Sequence, residues 1–415
     1  MQIKNLRSID LEELDKYREE KNDFVVFGAG SHGYIASNAL ESLKINVKYI
    51  FDNSKQRIGK QIKNIEIVRP NNKSVNLDMP VLIASVYPEA MYDQLINLGF
   101  KNIFLCDLLY DYYLSKTPTF VHEESGILKS TQDIKREVDL YNLEIRRFKF
   151  QATNKNLEIK SLDLVVTERC TLKCQDCSNL MQYYTRPKNA DMDNLINSLS
   201  NLLDNVDRIN EYRIIGGEPF IHRELDKLLS FLIETKNFLR IVVYTNATIM
   251  PKDSTLNLLK DLNAFIDISN YGDLSRNFKC LTKELEKKNI DYSAKELKWT
   301  DSGRILEKPH SSQDYVKKLF KNCCTRDVFT IMHGKLYHCP FSANLAELID
   351  YKNKDRDFIN LISEKEKINR EILSNFFFNK SYLEACFLCN GRDYSTPYIP
   401  VAKQTQKPLN IPKFN

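Results

Sequence analysis

Short apolar runs alternate with stretches of helical periodicity along most of this 415-residue chain. That alternation restricts it to the α/β class, with parallel sheets covered by helices. The rhythm occurs twice. In residues 1–118, Phe24–Phe27 is an apolar run followed by Gly28-Ala29-Gly30-Ser31-His32-Gly33. A helical stretch with Ala36, Ala39, Leu40 and Leu43 on one face comes next. Val47–Phe51, ending in Asp52, then Val81–Ser85 and Ile103–Leu105 read as further strands. The helix from about Glu89 to Leu98 stops at Gly99, a natural C-terminal cap. Residues 119–156 read as a connector with Pro118 at its start, the turn Glu124-Ser125-Gly126, and a charged linker helix from about Lys129 to Phe150. The alternation restarts at Leu157 and runs to about Lys308, with strands at Leu162–Thr167, Arg213–Ile215, Leu239–Thr245 and Phe265–Ser269. Repeated βα units of this kind form a full or partial barrel whose working face lies at the C-terminal ends of the strands. Residues 309–393 lose the rhythm and gather cysteines around a turn at Gly334, and 394–415 read as a tail or arm.

Composition narrows the class further. Apolar residues make up 42% and charged residues 28%, enough for buried cores. The net charge of +5, from 60 basic and 55 acidic residues, gives no reason to infer nucleic acid or an anionic membrane as partner. No segment reaches the ~18 consecutive apolar residues that a membrane span needs. Met1-Gln2-Ile3-Lys4-Asn5-Leu6 lacks the apolar centre of a signal peptide, so a cytoplasmic protein is expected. Ten cysteines in such a protein point to metal or redox chemistry rather than disulfides.

Cys170, Cys174 and Cys177 follow the strand Leu162–Thr167 with spacing C-x3-C-x2-C. One loop can turn three thiolates of this spacing toward one point, to bind an iron–sulfur cluster or, with a fourth ligand from elsewhere, zinc. One strand later stands Gly216-Gly217-Glu218-Pro219, whose glycines permit close backbone approach and whose carboxylate suits a cationic amino group. The two motifs, in this order and one βα unit apart, resemble the signatures of the radical S-adenosylmethionine (SAM) superfamily over roughly residues 157–300. The resemblance implies a 4Fe-4S cluster on Cys170, Cys174 and Cys177, with SAM on the open iron and an electron donor such as flavodoxin or ferredoxin. Reductive cleavage would release methionine and a 5′-deoxyadenosyl radical that takes hydrogen from a substrate. Gly216, Gly217, Glu218 and Pro219 would position the methionine end. Ser269 and Asn270, and more distantly Asn246, resemble the family's polar contacts to SAM. Asp176 stands where the family often has an aromatic residue near the adenine.

Cys324, Gly334 and Cys339 are spaced C-x9-G-x4-C, and Cys386-x2-Cys389 follows. A hairpin at Gly334 would bring Cys324 and Cys339 together, and the later pair would close a four-thiolate site for zinc or a cluster. This arrangement resembles the twitch form of the SPASM extension, which implies a second 4Fe-4S cluster; Cys323 could replace Cys324. Cys106 and Cys280 fall outside both sets and are expected to be buried structural thiols.

Gly28-x-Gly30-x-x-Gly33 between strand and helix, with Asp52 ending the next strand, fits the fingerprint of a Rossmann-like nucleotide-binding domain. The segment Phe51-Asp52-Asn53 resembles counterparts in surface-polysaccharide enzymes, which implies a nucleotide or nucleotide-sugar ligand. A domain that keeps the turn and binds nothing is the competing reading. The expected fold is thus a small Rossmann-like parallel-sheet domain, a partial (βα)6 barrel and a small cysteine-rich C-terminal subdomain. The expected function is a radical SAM enzyme acting on a small molecule or sugar-nucleotide of cell-surface or secondary metabolism, by epimerisation, dehydrogenation, dehydration or rearrangement. A ribosomal-peptide maturase of the twitch/SPASM type, and a non-catalytic iron–sulfur or zinc redox sensor, are the alternatives.

Overall fold

In the computed structural model the described residues are 6–71, 75–116, 131–151, 157–235, 238–295, 297–326, 328–362, 367–392 and 396–413. Pro118 and the Glu124-Ser125-Gly126 turn lie outside them. The chain divides into two compact units, Met1–Asn156 and Leu157–Asn415.

The elements of the first unit are β1 (Arg7–Ser8), α1 (Leu11–Glu19), β2 (Phe24–Phe27), α2 (Ser31–Ser42), β3 (Val47–Phe51), β4 (Gln61–Ile62), β5 (Ile65–Val68), β6 (Val81–Ile83), α3 (Pro88–Leu98), β7 (Ile103–Leu105), α4 (Asp107–Ser115) and α5 (Thr131–Gln151). One sheet takes the order β1-β7-β6-β2-β3-β5-β4, parallel except at β4. From β2 the chain winds outward through β3, then returns to β6 on the other side. This reversal makes the Rossmann-like switch point, and it lies at the end of β2, where Gly28 stands. Strands β2 and β6 are fully apolar and buried, as strands covered on both faces must be. Gly99 caps α3 in the left-handed region at φ +92°, as its sequence position suggests.

The helix read as a linker proves to be part of this unit. Ile134, Val138, Tyr141 and Ile145 of α5 are buried in the first core. The Tyr141 hydroxyl donates to Ile83 O at 2.6 Å and accepts from the Cys106 N–H at 2.9 Å, tying α5 to the ends of β6 and β7. Its i, i+4, i+7 apolar stripe was present in the sequence; the high charge on its other face gave it the look of a solvated spacer.

The second unit begins with β8 (Glu158–Thr167), α6 (Met192–Leu203), β9 (Arg208–Gly216), α7 (Leu225–Thr235), β10 (Arg240–Thr245), α8 (Asp253–Asp261), β11 (Phe265–Ser269), α9 (Phe278–Lys288) and β12 (Tyr292–Lys295). It continues with β13 (Trp299–Thr300), α10 (Gln313–Asn322), β14 (Val328–Met332), β15 (Lys335–Tyr337), α11 (Pro340–Leu348), β16 (Phe358–Asn360), α12 (Arg370–Phe378) and β17 (Tyr398–Ile399). The main sheet has the order β12-β11-β10-β9-β8-β14-β15-β16. Its run from β12 to β14 is parallel, and it stays open rather than closing into a barrel. The sixth parallel strand is β14, which lies beyond Lys308 and pairs with the outer edge of β8 instead of following β12. The cysteine-rich part is therefore continuous with the sheet.

The period of two along the strands separates two faces. Leu162 and Leu164 of β8, Tyr212 and Ile214 of β9, and Ile266 and Ile268 of β11 pack with leucines of α6 to α9 in one core. The alternate residues, among them Asp163, Arg213, Tyr244 and Ser269, turn to the opposite face. Asp191 starts α6 by accepting the Asn194 N–H, which sets where the helix leaves the β8 loop. Among the described residues no helix is long and apolar enough to cross a membrane.

The assignment of α5 to the first core can be tested with Tyr141→Phe. Leaving the buried Cys106 N–H without its acceptor, and the Ile83 carbonyl without its hydroxyl donor and with the Cys106 thiol at 3.4 Å in its place, should destabilise the first unit by about 1–3 kcal/mol. Amide exchange in β6 and β7 under urea should accelerate accordingly; exchange like wild type would contradict the assignment.

Candidate functional site

The polar face of the second sheet opens into one cavity of about 310 Å³ at the strand ends, and cysteines of both sets line it. Cys170, Cys174 and Cys177 sit on the loop after β8, which is short and tightly folded. Cys177 N–H donates to Cys174 O and Leu180 N–H to Cys177 O. Burial pushes the Cys174 thiol up to about 11 and raises Cys170 and Cys177 as well. Thiols in this setting ionise when a cation shares the site, which suits metal ligands.

The glycines of Gly216-Gly217-Glu218-Pro219 serve close approach, and what they approach is the cysteine loop itself. A Cβ on Gly216 would stand 2.3 Å from Thr167 O, and one on Gly217 would stand 2.2 Å from Arg169 O and 2.7 Å from Cys170 Cβ. Gly217 N–H donates to Thr167 O and Glu218 N–H to Arg169 O, both at 2.9 Å. The backbone at Gly216 and Gly217 lines the cavity. Pro219 begins the short 3-10 turn that follows and is buried.

Glu218 is held within the protein. It is completely buried, and its carboxylate accepts from Thr245 Oγ1 at 2.9 and 3.0 Å, from Asn246 N at 2.8 Å and from Phe220 N at 3.3 Å. Burial pushes its carboxyl up to about 7 despite those donors. It is not among the residues lining the cavity. A carboxylate occupied in this way pins the glycine turn to the end of β10.

Other expected SAM contacts divide. Ser269 lines the cavity beside Tyr271, and Asn246 lines it while donating to Cys170 Sγ at 3.5 Å. Asn270 turns away, its Oδ1 accepting from Gly272 N. Asp176 pairs with Arg304 Nε at 2.5 Å, holding the segment at Gly303, where a Cβ would meet Asp176 O at 2.0 Å. It lies outside the cavity lining.

At the far wall, Cys323, Cys339, Cys386 and Cys389 line the cavity, and Cys324 does not. Cys323 ends α10 and Cys339 caps α11, whose first turn donates the Ser342 N–H to Cys339 Sγ at 3.4 Å. The hairpin of β14 and β15 turns at His333 and Gly334, both with positive φ. Burial raises the Cys339, Cys386 and Cys389 thiols, and the neighbouring thiols, Cys323 among them each time, raise them further. Of the adjacent pair, it is Cys323, the substitute, and not the preferred Cys324 that lines the cavity. The glycine phasing was blind to the way α10 ends, which turns the first of the adjacent pair inward, while the Cys324 N–H is held by Arg392 O at 2.8 Å. Among the described residues no three cysteine sulfurs lie within 4.8 Å of one another. Around one zinc ion, with Zn–S of about 2.3 Å, tetrahedral sulfurs would be about 3.8 Å apart.

The cavity is also lined by residues outside every motif. Arg213, Arg326 and Arg392 line it, and among the described residues lining it none is acidic. Arg213 Nε pairs with fully buried Asp163 at 2.8 Å, and its guanidinium lies 5.2 Å over the Tyr244 ring. Arg392 donates to Ser302 Oγ at 3.1 Å and opposes the burial-driven rise of Cys177 and Cys389, one thiol from each set. These arginines come from separate elements, so no spacing announces them.

In the first unit the glycine fingerprint is used internally. A Cβ on Gly28 would stand 2.4 Å from Ala84 O, and one on Gly33 would stand 1.8 Å from Gly28 O; Gly30 faces the Arg57 guanidinium. Asp52, expected on ribose hydroxyls, is buried and accepts from Ala29 N at 2.8 Å, Ser54 N at 2.7 Å and Arg57 Nη1 at 3.1 Å. At the start of α2, Ser31 Oγ donates to Glu137 of α5 at 2.6 Å. Cys106 is buried as expected, while Cys280 is exposed, contrary to expectation.

Compared with known proteins, residues 164–271 match the radical SAM superfamily. The GTP 3′,8-cyclase of Sulfurovum sp. is 30% identical over 102 residues, 24% of this chain and 30% of that protein. The GTP 3′,8-cyclase of Clostridium acetobutylicum is 29% identical over 133 residues, 31% of this chain and 42% of that protein. The chain thus spans less than half the length of these curated relatives. Among solved structures, BtrN in complex with AdoMet and 2-DOIA is similar at 15% identity, covering 60% of this chain and 97% of that one, with a TM-score of 0.38. The matched stretch runs from β8 through the Cys170 loop and the Gly216-Gly217 turn to Tyr271, so it is this part of the second unit that is similar to the radical SAM superfamily.

Proposed function

We propose that the chain is a radical SAM enzyme whose cavity lies between two 4Fe-4S clusters and takes a small anionic substrate. The observation that carries this reading is the single cavity lined at one wall by Cys170, Cys174 and Cys177 and at another by Cys323, Cys339, Cys386 and Cys389. The open spacing of the sulfurs favours clusters over zinc ions. Three thiolates would hold the first cluster and leave one iron for SAM; four would hold the second. A cluster held by Cys170, Cys174 and Cys177 would, once reduced, supply the electron for cleavage of SAM.

The chain's own residues do the rest. Backbone groups at Gly216 and Gly217, with Asn246 and Ser269, offer polar contacts beside the first cysteine set. Glu218 acts through the turn it pins. Tyr271 and Trp299, packed edge to face at 5.8 Å, give the cavity an aromatic wall. Arg392, which donates to Ser302 Oγ at 3.1 Å, places a guanidinium at the cavity that suits the phosphates of a sugar-nucleotide, and the cavity volume suits a small molecule. Which bond the substrate gives up, and whether the outcome is epimerisation, dehydrogenation, dehydration or rearrangement, is decided by that substrate.

Three measurements test this reading. Cys174→Ala should abolish formation of 5′-deoxyadenosine under dithionite after anaerobic reconstitution; retained activity would sink the assignment of the first set. Cys323→Ala should lower the iron content by about one cluster's worth, about four irons per chain, whereas Cys324→Ala should leave it unchanged. The reverse pattern would restore the other cysteine. Glu218→Gln puts an amide NH₂ against a backbone N–H of Asn246 or Phe220, costing about 1–3 kcal/mol at the turn. It should raise the KM for SAM roughly tenfold with iron content intact, and an unchanged KM would contradict the pinning role.

A further inference from the structure

The C-terminal arm, described over residues 396–413, lies across the cysteine loop instead of trailing as a tail. Ile399 of β17 pairs with Trp299 of β13, and Ala402 is buried in a cluster with Leu172 and Cys174. Lys403 O then accepts from Gln175 N at 2.7 Å, and Thr405 N donates to Lys173 O at 2.8 Å, so the arm makes an antiparallel bridge at Cys174 and Gln404.

Between those bonds the Gln404 amide makes two contacts with the loop. Its Oε1 accepts from Lys173 N at 2.8 Å, and its Nε2 donates to Cys174 Sγ at 3.1 Å and to Ala402 O at 2.7 Å. The backbone N–H on one side and the carbonyl on the other fix which way the amide points, because a flipped group would set donor against donor and acceptor against acceptor. The N–H must therefore face the sulfur. At 3.1 Å it is closer than the 3.5 Å contacts that Leu172 N and Asn246 Nδ2 make with Cys170 Sγ.

We propose that Gln404 is a positioning residue for the first cluster, through which the arm raises that cluster's reduction potential; this rests on the assignment of Cys170, Cys174 and Cys177 as its ligands. Adding an electron to a cluster increases the negative charge on its thiolate sulfurs. An N–H dipole aimed at one of them stabilises the reduced state more than the oxidised one. The arm thereby eases electron uptake at the centre that cleaves SAM, from a segment more than two hundred residues away in sequence (Cys174 to Gln404).

The test is a redox titration of the full-length reconstituted protein, followed by electron paramagnetic resonance, with iron content measured in parallel. Gln404→Glu keeps the acceptor for Lys173 N and the side-chain size while replacing the donor by a negative oxygen; Gln404→Leu removes both contacts. The expected result is a more negative potential in both variants, larger for Gln404→Glu, with iron per chain as in wild type. Deoxyadenosine formation should slow with a weak electron donor and recover with excess dithionite. Equal potentials in wild type and Gln404→Glu would overturn the proposal. So would loss of iron in Gln404→Leu alongside a normal potential in Gln404→Glu, which would reduce the arm to packing. A wild-type protein that takes up no cluster on the first cysteine set would instead overturn the functional reading itself.

Discussion

The second unit depends on how closely the Gly216-Gly217 turn packs against the backbone that enters the cysteine loop. Neither position has room for a Cβ, since the nearest carbonyl oxygens would stand 2.3 and 2.2 Å away. Close packing there puts the end of β9 in register with the end of β8, which is where the three thiols emerge. Glu218 fixes the same turn to the end of β10 through three contacts, two from Thr245 Oγ1 and one from Asn246 N, so three adjacent strand ends are locked together. A site that must hold a cluster and a cofactor in fixed geometry needs such support from behind.

The sheet then distributes its two faces. Leucines of α6 to α9 cover the apolar side, leaving Arg213, Tyr244 and Ser269 to face the cavity at the strand ends. Because β14 adds to the outer edge of β8, the hairpin and α11 carry Cys339 onto the same cavity, and α10 brings Cys323. The second thiolate set thus faces the first as a consequence of strand order. Arg392 lines the cavity that both sets share and donates to Ser302 Oγ there.

What could be read from the sequence was local. Strand β2, its glycine turn and α2 follow one another directly, and so do β8 and the Cys170 loop; here neighbours in sequence are neighbours in space. The glycine patterns identified close packing correctly but not its object: in Gly28 and Gly33, and again in Gly216 and Gly217, the nearby atoms are the protein's own carbonyls. Asp52 and Glu218 were read as ligand groups because exposed carboxylates at strand ends commonly are, yet each is buried and taken up by backbone N–H groups. Long-range placements left no local trace. The pairing of β14 with β8, the inward turn of Cys323 and the return of Gln404 to Cys174 each depend on a partner far along the chain. For α5 the apolar stripe was visible, but nothing in it named the core it enters.

The central claim is that two clusters face one cavity and one of them binds SAM. The direct measurement is iron and sulfide per chain after anaerobic reconstitution of the wild-type protein, followed by assay for 5′-deoxyadenosine under dithionite. The account predicts about eight irons and eight sulfides per chain, from two 4Fe-4S clusters, with the nucleoside formed. A protein that binds zinc in place of iron at both cysteine sets, or that loads fully and releases no 5′-deoxyadenosine with SAM and reductant in excess, would contradict it.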